Sequence, residues 1–112
     1  DFEKWNGHMR KEMTSGVFTA IGELFGLSGL YNATYDLFSE SYYYLADGSY
    51  VPRIDQYGSL IVEEPYSFIN HLGGMEGLRQ KGWTLFTVCC LEVILSKYDC
   101  EYKIMGMGDN QV

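Results

Sequence analysis

A chain of 112 residues and 12.8 kDa is one domain at most and buries only a modest core. Fifteen acidic residues against eight basic give a formal net charge of -7, which excludes a dedicated basic nucleic-acid module. At 46% hydrophobic and 16% aromatic, disorder is excluded as well.

The opening, Asp1 to Asn6, reads as the end of a strand. From Ser15 to Leu27 the residues Val17, Phe18, Ile21, Leu24 and Phe25 recur at helical spacing. Thr14 or Ser15 is available to cap the start, and Gly26 and Gly29 punctuate the end. A second helix is predicted from Leu30 to Ala46, carrying the run Tyr42-Tyr43-Tyr44 as packing residues and stopping at Asp47-Gly48. Between Ser49 and Ile69, Pro52, Gly58 and Pro65 break the pattern while Tyr57 to Val62 is rich in β-formers, so loop and short strands are expected. Gly73, Gly74 and Gly77 form a flexible loop ahead of a strong helix from Gln80 to Lys97. Glu101 to Val112 reads as a strand, a tight turn at Gly108-Asp109 and a second strand. Both ends fall in mid-pattern, so the chain is expected to be a piece of a longer one.

The cysteines form no C-x-x-C pair, and an odd count leaves a free thiol, which fits reduced cysteines rather than a secreted framework. Cys89 and Cys90, beside Phe86, Val88 and Leu91 on the predicted helix, are expected to be small core residues. His8 and His71 lack zinc-type spacing. The longest apolar stretch, Trp83 to Leu95, is interrupted by Thr84, Thr87 and Glu92 and falls short of the ~20 residues a membrane span needs.

Two features bear on chemistry. Carboxylates brought close together repel unless a divalent cation sits between them, and Mg²⁺ takes one or two carboxylates plus substrate phosphates. Paired ions then clamp the attacking and leaving oxygens of an in-line phosphoryl displacement. Asp1 and Asp109 are candidates for such a pair, although an aspartate near a strand end is more often a turn or cap residue. The segment Gly73 to Trp83 brings four glycines together with Glu76, Arg79 and Lys81. Glycines let a backbone approach a ligand closely, and the loop empties onto a helix N-terminus, which favours phosphate. It contains neither G-x-x-x-x-G-K-[ST] nor G-x-G-x-x-G, and an ordinary loop with solvated charges is the competing reading. Lys4, Arg10, Lys11, Arg79 and Lys81, five of the eight basic residues, lie in the opening segment or this loop.

Three segments taken together are more specific: Asp1-Phe-Glu-Lys-Trp-Asn-Gly-His-Met-Arg10, Gly73-Gly-Met-Glu-Gly-Leu-Arg-Gln-Lys-Gly-Trp-Thr84 and Gly108-Asp-Asn-Gln111. In order and in content they resemble motifs A, B and C of the large (L) polymerase protein of non-segmented negative-strand RNA viruses. The motif B form is most similar to the rhabdovirus branch. The resemblance spans the chain, with motif A at 1–10, motif B at 73–84 and motif C at 105–112.

It implies an α+β fold, part of a polymerase palm in which antiparallel strands carrying the metal aspartates pack against helices. It implies RNA-directed RNA polymerase activity by a two-metal mechanism, with Asp1 and Asp109 as catalytic ligands of Mg²⁺ (or Mn²⁺). Asn6 falls where palm polymerases sense the ribose of the incoming nucleotide. Glu76, Arg79, Gln80 and Lys81 would contact the nucleotide and template backbone or brace the loop. Asn110 stands where many polymerases carry a second aspartate. The implied partners are RNA template and product, ribonucleoside triphosphates, a viral phosphoprotein cofactor and a nucleoprotein-coated genome, in the virion and host cytoplasm, or the nucleus for some relatives. The isolated piece is expected to be inactive. An endogenised viral polymerase fragment without catalytic role is the alternative, and an acidic interaction module would leave three ordered motifs unexplained.

Overall fold

The computed structural model describes residues 4–74, 77 and 79–112. In chain order the elements are α1 (Trp5–His8), α2 (Lys11–Leu24), α3 (Leu30–Ser39), β1 (Tyr43–Tyr44), β2 (Ser67–Phe68), α4 (Gln80–Leu95), β3 (Gly106–Met107) and β4 (Asn110–Gln111). This is an α+β arrangement in which three longer helices outweigh two small antiparallel pairs. Tyr43 lies opposite Phe68 and Tyr44 opposite Ser67 in one pair. In the other, Gly106 lies opposite Gln111 and Met107 opposite Asn110.

The core forms where α1, α2, α3 and α4 converge. Trp83 on α4 is completely buried, and Trp5 meets it edge-on at 5.5 Å between ring centroids. The Trp5 indole N–H donates to Thr87 Oγ1 at 3.4 Å, so α1 is fixed to α4 by a polar contact as well as by ring packing. Phe18 of α2 meets Tyr35 of α3 edge-on at 5.6 Å, and the Tyr35 hydroxyl pairs with Thr14. The Phe18 ring lies where a side chain at position 82 of α4 would begin, 2.5 Å from an added Cβ. Edge-to-face pairs of this kind contribute about 0.5–1.5 kcal/mol beyond the area they bury.

Several expectations change. Residues 5–8 form a helical turn rather than the end of a strand, because the turn is what lays Trp5 on Trp83; Asp1 lies outside the described residues. Helix α2 begins at Lys11, four residues before the predicted Ser15. Thr14 is therefore inside it, and its hydroxyl donates back to the Arg10 carbonyl at 2.9 Å instead of capping. The predicted stop holds: Leu27 N–H bonds to Gly22 O and Gly26 N–H to Glu23 O, with Gly26 left-handed, the Schellman closure.

Helix α3 ends at Ser39 and not at Ala46. Beyond it the tyrosine run is extended, since Tyr43 stacks on Phe68 at 5.0 Å and the Tyr42 hydroxyl reaches both Tyr50 and the Ile61 carbonyl. These partners lie more than seven residues away in sequence, so local propensity gave no sign of them. Tyr57 to Val62 yields a turn and a single bridge, Ile54 to Leu60, because Asp55 Oδ1 captures the Tyr57 and Ser59 amides. Cys89 and Cys90 are exposed rather than in the core. The covered face of α4 carries Trp83, Phe86 and Thr87; Cys89 is off it, and Cys90 lies in an apolar groove that α1 and α2 leave open between Met13 and Ile94.

The chain is long and thin, 63 by 33 by 18 Å, with a radius of gyration of 17.8 Å. A compact chain near this length has about 13 Å. Leu24, Phe25, Leu37, Val51, Ile54, Val93 and Met105 are all more than half exposed. Apolar surface on this scale drives association. The isolated 112-residue chain should therefore form large, heterogeneous particles in dynamic light scattering and add no nucleotides; a monodisperse monomer, or template-dependent incorporation by it, contradicts this.

Candidate active site

Three segments far apart in sequence meet at one concavity. A cavity of about 200 Å³ is lined by Lys4, Trp5, Asn6 and Gly7 from α1 and its approach, Gln80 from the first turn of α4, and Gly108 and Asp109 from the β3–β4 turn. The core dictates the first junction. Once Trp5 is seated on Trp83, the strand of chain at Gly73 passes so close to α1 that a Cβ would lie 2.8 Å from the Asn6 carbonyl oxygen. At Gly74 a Cβ would overlap the Trp83 ring itself.

The second junction is polar. Gly108 has φ of +64°, which calls for glycine, and Gln80 Nε2 lies 2.5 Å from where a Cβ would stand. Its N–H donates to Thr84 Oγ1 on α4 at 2.9 Å. The Thr84 hydroxyl in turn donates to the Gln80 carbonyl at 2.8 Å. Gln111 Nε2 donates to the Gly108 carbonyl at 2.7 Å. Both backbone polar groups of Gly108 are thus committed, and Asp109 follows directly, partly exposed at the rim of the cavity. Asn110 points its amide at Asp109 Oδ1, 3.1 Å away. Asn6 Oδ1 is buried and has no hydrogen-bond partner among the described residues.

Of the residues singled out from sequence, Asn6, Gln80 and Asp109 come together. Asn110 lies outside the cavity wall and touches it through Asp109. Arg79 and Lys81 line a different cavity of about 580 Å³, between α4, α2 and α3, with Phe18, Tyr31 and Gly77. The Arg79 guanidinium is buried, 3.8 Å from the centre of the Tyr35 ring and 4.2 Å from that of Phe38, and it donates to the Thr34 carbonyl at 2.8 Å. Burial lowers its pKa from the ordinary value, though a guanidinium stays charged in proteins. Its Nε and Nη1 have no partner among the described residues. Asp1 and Glu76 lie outside the described residues. Among those described, no three His, Cys, Asp or Glu side chains cluster as a metal site.

Sequence reasoning missed Thr84 and Gln111, which hold the turn. The signal for Thr84 was faint: a threonine four residues after Gln80 on a helix bonds back to that carbonyl, and only the tertiary approach of Gly108 gives the hydroxyl a second use.

All 112 residues match the model of a family described as Mononegavirales RNA dependent RNA polymerase, and the chain belongs to that family. It is 68% identical over its full length to the RNA-directed RNA polymerase L of lettuce necrotic yellows virus (isolate 318). The corresponding identities are 43% for the RNA-directed RNA polymerase L of lettuce big-vein associated virus (isolate Japan/Kagawa) and 44% for that of taro vein chlorosis virus. The chain spans 5% of the length of the first two proteins and 6% of the third. The rhabdovirus-like L-protein resemblance carried by three motifs thus extends along the whole chain.

The position of Arg79 gives a prediction. A lysine cannot lie flat on Tyr35 and Phe38 while donating to Thr34, so Arg79→Lys should loosen the α3–α4 contact by about 1–2 kcal/mol. In a full-length polymerase carrying this segment, amides of residues 30–39 should exchange faster with deuterium; unchanged exchange there removes the bracing role.

Proposed function

We propose that this chain is the palm portion, motif A to motif C, of a viral RNA-directed RNA polymerase that transfers ribonucleotides under template direction during genome replication and mRNA transcription. The observation that carries the reading is the single cavity shared by Asn6, Gln80 and Asp109, one residue from each motif.

Asp109, with Asp1, is the proposed ligand pair for Mg²⁺ (or Mn²⁺). The described donor suits such an ion: the Asp109 carboxylate at the cavity rim is a hard oxygen group. Bound ions would stabilise charge on the 3′-hydroxyl oxygen that attacks the α-phosphorus and on the pyrophosphate it displaces. The remaining work belongs to the chain. Asn6 Oδ1 accepts a hydrogen bond from the ribose 2′-hydroxyl, which satisfies a buried acceptor that is costly to leave unmade. Gln80, beside Gly108, contacts the nucleotide where motif B meets motif C.

Lys81, with Glu76, serves the nucleotide phosphates and template backbone at the start of α4, where helix amides favour anions, while Arg79 braces the loop against α3. Asn110 orients the turn through Asp109. With a net charge of -7, the chain supplies metal-binding carboxylate, and the basic RNA channel falls to the rest of the polymerase. The same reading brings RNA template and product, ribonucleoside triphosphates, a phosphoprotein cofactor and a nucleoprotein-coated genome as partners, in virion and host cytoplasm or nucleus.

In the full-length polymerase, Asp109→Ala should reduce Mg²⁺-dependent nucleotide addition by at least about 10²-fold, the scale of losing one group that stabilises transition-state charge, with template binding and thermal melting unchanged. Substantial incorporation by this variant overturns the assignment. Asn6→Ala should narrow the ratio of kcat/KM for ribo- over deoxyribonucleotides by about 10-fold or more, since a site built to bond a hydroxyl rejects the analogue lacking it. An unchanged ratio in a variant that still polymerises removes Asn6 from ribose selection.

A further inference from the structure

We infer that Thr84 is a positioning residue for the Asp109 turn, acting through its hydroxyl on the backbone of Gly108. The inference rests on the polymerase reading and adds to it a residue that holds the metal-binding turn at a fixed distance from the motif B helix. The roles in the contact are determined. Thr84 Oγ1 gives its proton to the Gln80 carbonyl at 2.8 Å, so a lone pair faces the Gly108 N–H 2.9 Å away. Gly108 is buried, and its amide sits in a turn where no strand partner can serve it. Among the described residues this is the hydrogen bond that joins residues 105–112 to the rest of the chain.

The hairpin needs such an anchor. Its strands are two residues each, and Met105 and Met107 are largely exposed, so the apolar packing that would fix it is thin. The turn is closed on its other side by Gln111, whose amide holds the Gly108 carbonyl at 2.7 Å and keeps the peptide before Asp109 from rotating. What Gln111 cannot do is set the turn relative to α4. Thr84 does that, and through Gln80 O the same hydroxyl is seated on the first turn of the helix whose Gln80 side chain lines the cavity. A carboxylate ligand displaced by about 1 Å costs up to about 10²-fold in rate, so the anchor should be visible in turnover more than in substrate binding.

The test uses the full-length polymerase with Thr84→Val, which keeps the shape and removes the hydroxyl, and Thr84→Ser, which keeps the hydroxyl. Thr84→Val should lower kcat for nucleotide addition by about 10–100-fold while KM for the nucleotide stays within about threefold. Without nucleotide or metal, amides in residues 104–112 should exchange with deuterium at least about tenfold faster, with α2 and α3 unchanged. Thr84→Ser should restore both. Wild-type kcat or unchanged hairpin exchange in Thr84→Val overturns the inference, as does Thr84→Ser impaired like Val, or faster exchange spread through α2 and α3. The exchange result stands apart from the polymerase reading itself, which falls instead if Asp109→Ala polymerises.

Discussion

The chain from Lys4 to Gly7 reaches the candidate site by way of Trp83. The indole has no exposed surface, and three walls close around it: Trp5 edge-on, the bare backbone of Gly74, and the Arg79 guanidinium 5.8 Å above the ring. A buried tryptophan is worth several kcal/mol, with Trp→Ala in a core costing about 3–5 kcal/mol. Here that energy is used to bring motif A onto the first turns of the motif B helix. Asn6, one residue after Trp5, is carried to the cavity as a consequence.

The second junction has a different character. The β3–β4 hairpin reaches α4 by one amide-to-hydroxyl bond and a close backbone approach rather than by a large apolar contact. A hydrogen bond is directional, so the turn preceding Asp109 is set in angle as well as position. The division suits a site that binds charge: a dry aromatic wall at the back, and at the rim a carboxylate held by polar contacts with access to water and ions.

The uncovered surface follows from the same arrangement. Helix α4 is apolar on more than one side, with Leu85 and Val93 exposed away from the Trp83 face. The chain spans 5% of the length of the lettuce necrotic yellows virus relative, and a helix apolar on several sides is the kind found in the interior of a large protein.

Sequence alone placed helices over Ser15–Leu27 and Gln80–Lys97, which form over Lys11–Leu24 and Gln80–Leu95, and it gave the closure at Gly26, the hairpin turn at Gly108-Asp109 and the family, because helical periodicity, glycine punctuation and a motif's residue types are local. It also named Asn6, Gln80 and Asp109 before their meeting was visible. Only the tertiary structure decided that residues 5–8 coil, that the tyrosine run leaves α3 at Ser39, that Arg79 lies flat on Tyr35, that Cys89 and Cys90 face outward, and that Thr84 holds Gly108. Apart from the cysteines, each of these depends on a partner distant in the chain: Trp83 for Trp5, Phe68 for Tyr43, Tyr35 for Arg79, Gly108 for Thr84. Local pattern records what a residue prefers, and contacts across the fold, each worth about a kcal/mol or more, override preferences of a few tenths.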